Sequence, residues 1–231
     1  MLHVDSIDSS YGETQVLFKV SLEVAAGEVV ALLGASGAGK TTTLRSVLGL
    51  TPARSGRIEF DGADITREKS YRIARRGVGW VPEERRIVPS LTVRRNLEIA
   101  QKSTRFRAWT LRECCEIFTA LGYLLDRESE NLSGGEMQMV AISRALVGSP
   151  GLVLMDEPSQ GLAPKVVQDV LRTVVRMKSE GLGILLVEQN VHAALSVADR
   201  VIVLDHGAVA YRGSAAELRD DAALRQRLLG A

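Results

Sequence analysis

Gly34-Ala35-Ser36-Gly37-Ala38-Gly39-Lys40-Thr41 follows directly on the apolar run Val29–Leu33 and opens into helix-forming residues that continue to Leu50. Glycines at 34, 37 and 39 permit backbone conformations closed to residues with a Cβ, so successive N–H groups can converge on one anion. A helix starting at Lys40 adds unpaired N–H groups and the positive end of its dipole. Lys40 would reach the outer phosphates of a bound nucleotide, and the Thr41 hydroxyl would face Mg²⁺. Gly34, Ala35, Ser36, Gly37, Ala38, Gly39, Lys40, Thr41 and Thr42 are therefore expected to hold a nucleoside triphosphate. The alternative is a glycine-rich turn with a capping threonine. An apolar strand before the loop and a helix after it argue against that.

Two further segments carry chemistry. Leu152-Val153-Leu154-Met155-Asp156-Glu157 is an apolar strand ending in two carboxylates. Many strands end in acids, but beside the glycine-rich loop Asp156 reads as the holder of Mg²⁺ and Glu157 as the group that polarises an attacking water. Leu132-Ser133-Gly134-Gly135-Glu136 precedes the helical run Met137–Val147. Ser133 and Glu136 have capping-box spacing. Two glycines in a first helical turn cost about 1 kcal/mol each relative to alanine, and what they gain is bare N–H groups that a phosphate can approach.

These groups need a sheet to carry them. Val29–Leu33, Leu152–Met155, Ile184–Val187 and Val201–Leu204 are short runs of Val, Ile and Leu, as expected for strands covered on both faces. Helix-period segments lie between them, notably Val166–Lys178 and Val191–Val197, which together make an α/β pattern. Residues 1–28 and Gly56–Ile65 show alternation and turn signals of antiparallel strands, and Pro89–Pro150 reads as a helical insert. Ala215–Leu229 reads as one amphipathic helix packed on the domain. The 231 residues, 45% hydrophobic and 25% charged, exclude a disordered chain, a collagen-like repeat and a disulfide scaffold. Cys114 and Cys115 are adjacent, which offers no ordinary disulfide and no metal-ligand spacing, so a reducing compartment is expected. Neither a membrane-length apolar run nor a secretory leader pattern is present, so any membrane role is expected to be peripheral. Net charge is only +1, yet residues 67–112 hold thirteen Lys and Arg against four Asp and Glu. That stretch is either a solvated basic face or a surface for an acidic partner or anionic lipid; direct nucleic-acid binding is not expected.

With its phosphate loop, its Leu132–Glu136 motif and its acidic strand in this order and spacing, nearly the whole chain resembles the ABC-transporter ATPases, whose signature is LSGGE or LSGGQ. The resemblance implies a P-loop, RecA-like α/β core with an N-terminal antiparallel β subdomain and a helical subdomain bearing the signature. The chain is then one domain, 1–231, with the core and antiparallel subdomain in 1–83 and 151–231 and the helical subdomain in 84–150. It also implies that Tyr11 stacks on adenine. Ser133, Gly134, Gly135 and Glu136 of one subunit would close over ATP held by another, so two ATPs are sandwiched in a head-to-tail dimer. ATP binding would favour the closed dimer and hydrolysis would release it.

Three places depart from the family. Glu83 stands where a glutamine follows Val81-Pro82, Gln189 replaces a histidine, and Ser159-Gln160-Gly161-Leu162-Ala163-Pro164 replaces Ser-Ala-Leu-Asp. A degenerate ATPase is one reading, but the phosphate loop, Asp156, Glu157 and the signature are intact. As a set, Pro82-Glu83 with Arg85-Arg86, Gly161–Pro164 and Val187–Asn190 is similar to the second ATP-binding subunit of branched-chain amino-acid importers. Urea-importing and lipopolysaccharide-exporting ATPases share less of it. Glu83 is expected near Mg²⁺ or its water, Gln189 is expected to donate its amide to the γ-phosphate, and His192 is expected on a helix surface. The resemblance implies permease subunits as partners, and either a sister ATP-binding subunit or a second copy. A periplasmic binding protein would act indirectly, and the chain would sit peripherally on the cytoplasmic face of the inner membrane. The segment 83–96, with Val88, Pro89, Leu91, Val93 and Arg85, Arg86, Arg94 and Arg95, is expected to receive a permease helix. A nucleic-acid-directed ABC ATPase is the alternative from another class, although the chain lacks a second ATPase unit and a coiled-coil insert. A P-loop kinase or ligase is argued against by the signature.

Overall fold

The computed structural model describes residues 1–230. The chain begins with β1 (Leu2–Tyr11), β2 (Thr14–Val24), β3 (Val29–Leu33), α1 (Lys40–Val47), β4 (Ser55–Phe60) and β5 (Ala63–Asp64). It continues through α2 (Ser70–Arg76), β6 (Val78–Val81), α3 (Val93–Glu98), α4 (Leu111–Ile117), α5 (Thr119–Leu124) and α6 (Gly134–Leu146). The last part is β7 (Leu152–Asp156), α7 (Pro164–Ser179), β8 (Gly183–Val187), α8 (Val191–Val197), β9 (Arg200–Asp205), β10 (Ala208–Ser214), α9 (Ala215–Asp220) and α10 (Ala222–Leu229).

Two sheets form. The larger has the order β10-β9-β3-β8-β7-β6, parallel except for β10, which pairs antiparallel with β9. The smaller is antiparallel, in the order β2-β1-β4-β5. Strands β3, β7 and β8 are buried at every position, which is why their sequences are unbroken apolar runs rather than alternating ones. Alternate side chains still serve different cores. Val30, Leu32, Leu154 and Leu185 pack toward α1 and the antiparallel sheet, whereas Val29, Val153, Met155 and Leu186 pack toward α3–α7. Ala31, Leu33, Val201 and Val203 meet α8 and α9 in a third cluster.

Between residues 84 and 150 the regular elements are α3–α6 and one short 3-10 turn, with no strand among the described residues. Three expectations change. The helix after the phosphate loop ends at Val47 rather than Leu50, because Gly49 takes a φ of 67° that starts a turn. Ala215–Leu229 is two helices, not one: Asp221 is extended and caps α10 by accepting from Leu224 N at 2.8 Å. Strand β6, Val-Gly-Trp-Val, was hidden in the sequence by its glycine and shortness, and its place at the sheet edge comes only from pairing with β7. Among the described residues no helix is long and apolar enough to cross a membrane.

Candidate functional site

The phosphate loop leaves the carboxyl end of β3. Gly34, Gly37 and Gly39 have φ of 144°, 80° and 101°. A Cβ on Gly34 would stand 2.3 Å from the Leu204 carbonyl, so the loop can leave the sheet here only as glycine. Lys40 is buried; its Nζ donates to the carbonyls of Gly34 at 2.8 Å and Ala35 at 3.0 Å, which leaves one of three donors to face outward. Thr41 Oγ1 donates to Asp156 Oδ1 at 3.1 Å, joining the start of α1 to the end of β7.

A cleft of about 430 Å³ opens above this loop, lined by Ser36, Gly37, Gly39, Lys40, Thr41, Thr42, Glu83, Glu157 and Gln189, with Val16 from β2. The two departures, Glu83 and Gln189, therefore stand with the phosphate loop and Glu157 around one space. Tertiary pairing explains this: β6, β7 and β8 are consecutive in the sheet, so residues just past their carboxyl ends converge. Asp156 is buried, and its carboxyl is pushed up to about 6, chiefly by burial and further by the charges of Glu157, Glu83 and Glu84, against the Thr41 hydrogen bond. Glu157 also titrates above the ordinary carboxylate range. Burial is the main cause and the Glu83 charge the next, while Lys40 and the Gln189 amide pull it back. Its backbone holds a φ of 47° and its Oε2 is buried without a partner. A left-handed conformation at a glutamate costs on the order of 1–3 kcal/mol, so the surrounding structure is fixing where this carboxylate points. The arrangement can bind an anion on the loop, take a cation at Asp156 and Thr41, and present a proton-accepting carboxylate beside both.

Glu188 precedes Gln189 and lines a neighbouring cleft with it, Glu157 and Ser159. It is buried, accepts from Ser159 N at 3.0 Å and Ser159 Oγ at 2.8 Å, and titrates above the usual range because of its burial. It thereby clamps the loop after Glu157 to the end of β8. Glu188 belongs to the Val187–Asn190 set in the sequence, but only the fold gives it this role; a carboxylate ending an apolar strand is the available signal. His192 is exposed on α8, as expected for a surface helix residue.

The Leu132–Glu136 motif lies outside this cleft, as does Tyr11. Ser133 caps α6 as part of a complete capping box with Glu136. The two glycines differ. A Cβ on Gly134 would meet nothing closer than 3.6 Å, from Arg85 Nη1, whereas one on Gly135 would stand 3.1 Å from Val166 of α7. Gly135 thus sits tightly against α7 as well as at a bare N-terminus. Tyr11 is 45% exposed, with the Arg45 guanidinium 5.9 Å from its ring centroid.

Of the segment expected to face a permease, Arg86, Val88 and Pro89 are exposed, whereas Arg85 turns inward, to Gln138 and Gln160. An apolar cleft of about 530 Å³ lies between α2 and the end of α3, with Leu48, Leu50, Tyr71, Trp80 and Ile99 among its walls. Of the thirteen basic residues in 67–112, seven make ion pairs: Arg76, Arg86, Arg94, Arg95, Arg105, Arg107 and Arg112. Several partners, such as Asp61, Asp126 and Glu180, come from outside the stretch, so its local charge is partly cancelled in the fold.

Comparison with known proteins places this geometry. The model of the ABC transporter family matches residues 17–160. The chain is 38% identical, over 100% of both chains, to the high-affinity branched-chain amino acid transport ATP-binding protein BraG of Pseudomonas aeruginosa. It is 35% identical to the lipopolysaccharide export system ATP-binding protein LptB of Escherichia coli K12, over 99% of this chain and 97% of that one. Among solved structures, a nucleotide-free ATP-binding cassette from an ABC transporter superposes with a TM-score of 0.85 at 26% identity, covering 99% of this chain and 96% of that one. A dimeric cassette in a post-hydrolysis state, bound to ADP and Pi, superposes at 0.80 and 25% identity, over 93% of this chain and 99% of that one. The chain is an ATP-binding, ATP-hydrolysing cassette and belongs to the ABC transporter family.

Proposed function

We propose that this chain powers an importer of branched-chain or other hydrophobic amino acids, hydrolysing ATP to drive separate permease subunits. The observation that carries the ATPase part is the convergence of Lys40, Thr41, Glu83, Glu157 and Gln189 on one cleft. The substrate class is supported by the likeness to BraG along the full chain. The LptB relatives, at 35%, favour lipopolysaccharide export as the second reading. Uptake of leucine, isoleucine, valine and urea by a strain lacking the chain tests the first reading: loss of branched-chain uptake alone supports it, and unchanged uptake of all four overturns it.

In this reading the N–H groups of residues 34–42 bind the ATP phosphates and Lys40 neutralises their outer charge. Mg²⁺ fits the donor set: Asp156 is a buried carboxylate at the end of β7, and it already holds the Thr41 hydroxyl by hydrogen bond. When bound, Mg²⁺ would neutralise charge developing on the phosphates. Thr41 and Asp156 would hold it, with Glu83 on its water. Glu157 accepts the proton of the attacking water, and Gln189 donates its amide to the γ-phosphate. Tyr11 stacks on adenine.

Ser133–Glu136 do not line the cleft of their own chain, which supports their acting on the ATP of another copy or of a sister subunit. The dimer bound to ADP and Pi is consistent with that arrangement. We group residues 1–83 and 151–231 as the nucleotide-holding core and 84–150 as the helical subdomain. Permease docking fits the cleft beside α2, whose apolar walls carry Arg75, Lys102 and Arg144. Lys102 and Arg144 are half-buried, and burial lowers the pKa of both. Docking there would hold the chain peripherally on the cytoplasmic face of the membrane, with a periplasmic binding protein acting only through the permeases.

A further inference from the structure

We infer that Arg85 is the positioning residue that makes the signature helix of a subunit follow that subunit's own nucleotide cleft. The inference rests on the head-to-tail reading above, because only there does the signature helix serve a second ATP. Arg85 Nε donates to Gln138 Oε1 at 3.1 Å, one turn into α6, and Nη2 donates to the Gln160 carbonyl at 3.1 Å. The two acceptors belong to different elements. Gln138 is on the signature helix, whereas Gln160 is one residue past Ser159, which Glu188 clamps to β8. Helix α6 packs on the sheet through its apolar side chains, and the planar fork adds a polar tie from it to the loop after β7.

The arrangement is held inward by its backbone. Arg85 and Arg86 both have left-handed φ, 62° and 44°, in a tight turn closed by Arg85 N to the Pro82 carbonyl at 3.0 Å. That turn contains Glu83, a wall of the nucleotide cleft. Gln138 is buried, its Oε1 accepts from Arg85, and its Nε2 finds no partner among the described residues. A guanidinium beside a helix N-terminus is also unfavourable to the helix dipole, so Arg85 stays there through these acceptors and not through bulk charge. A displacement of Glu83 by a bound nucleotide thus travels two residues to Arg85 and from it to α6.

The test uses the full-length chain as wild type, Arg85→Ala, Arg85→Lys, Gln138→Met and the double variant Arg85→Ala/Gln138→Met. Affinity for a fluorescent ATP analogue should change by less than about twofold, because Arg85 makes no contact in the cleft, while kcat falls roughly tenfold or more through misplacement of the signature. Gln138→Met conserves volume and should show the same split; the double variant should lose no more than either single one. Lysine keeps the charge but lacks the fork, so it should not rescue. ATP-driven dimerisation in a Glu157→Gln background should weaken with the same ranking. A kcat within twofold of wild type in the single variants overturns the inference, and so does nucleotide affinity falling in step with kcat, which a general loss of folding would produce. Should Arg85→Ala not fold, Gln138→Met breaks the same bond from the other side. Wild type that neither dimerises nor hydrolyses ATP would instead fail the underlying reading and take this inference with it.

Discussion

Thr41 Oγ1 donates to Asp156 Oδ1 at 3.1 Å, so the helix leaving the phosphate loop and the strand ending in the acidic pair are locked together. The carboxylate that accepts this bond is buried and held at about 6, above its ordinary 3.8. Between those values the folded chain keeps a proton that the unfolded chain releases. Stability present below pH 3.8 is therefore lost as pH rises to about 6 and stays lost above it. Asp156→Asn keeps an acceptor for Thr41 and removes the charge. At pH 7.5 in EDTA it should unfold at a higher temperature than wild type, by a stabilisation of about 3 kcal/mol at most. With Mg-ATP the order should reverse, because only wild type gains full ligand binding. Thermal melts in both buffers check this; a variant less stable in EDTA would refute it.

Glu83 raises the pKa of Glu157 through its charge. Glu83→Gln should therefore let Glu157 ionise at lower pH, moving the acid limb of the kcat profile to lower pH. The Mg²⁺ concentration for half-maximal rate should rise. An unchanged Mg²⁺ dependence would remove Glu83 from the neighbourhood of the ion.

Gln189 faces Glu157 with a group that cannot titrate near neutral pH. Gln189→His should add an ionisation to the rate profile between about pH 6 and 8 that wild type lacks. Steady-state ATPase rates across that range decide it, and overlapping profiles would show that position 189 does not touch the reaction.

The two signature glycines should separate. Gly135→Ala brings a Cβ to 3.1 Å from Val166 and should leave the fold about 1–3 kcal/mol less stable than Gly134→Ala does. Val166→Ala should recover much of that. Gly134→Ala has room, with nothing nearer than 3.6 Å, so it should melt at or above wild type, by up to about 1 kcal/mol of helix propensity, yet lose ATPase activity. Equal melting temperatures for the two alanine variants would contradict the packing argument.

Cys114 is fully buried and its thiol is pushed up to about 12 by that burial; Cys115 is half-buried and raised in the same direction. Neither should react readily at pH 8. Iodoacetamide should modify them at least roughly tenfold more slowly than a free thiol, and both should react after denaturation. Mass spectrometry of the native and unfolded chains reads the difference.

Local sequence determined the parts whose physics is local. Gly34–Thr41 needs only glycine conformations and a following helix, Ser133 and Glu136 need only a three-residue spacing, and β3, β7 and β8 need only apolar side chains on both faces. Sequence could not show that Glu83, Glu157 and Gln189 share a cleft, since 74 residues separate the first two. Their meeting follows from the order β8-β7-β6 in the sheet, which long-range pairing alone sets. The direction of Arg85 was equally out of reach. An arginine in a basic run reads as solvated, and only the left-handed turn at 85 and 86, with a buried acceptor on α6 and a backbone carbonyl of the Ser159–Leu162 loop, turns it inward. Motifs that close on themselves are written in neighbouring residues; side chains whose partners lie on other elements take their place only when the sheet brings those elements together.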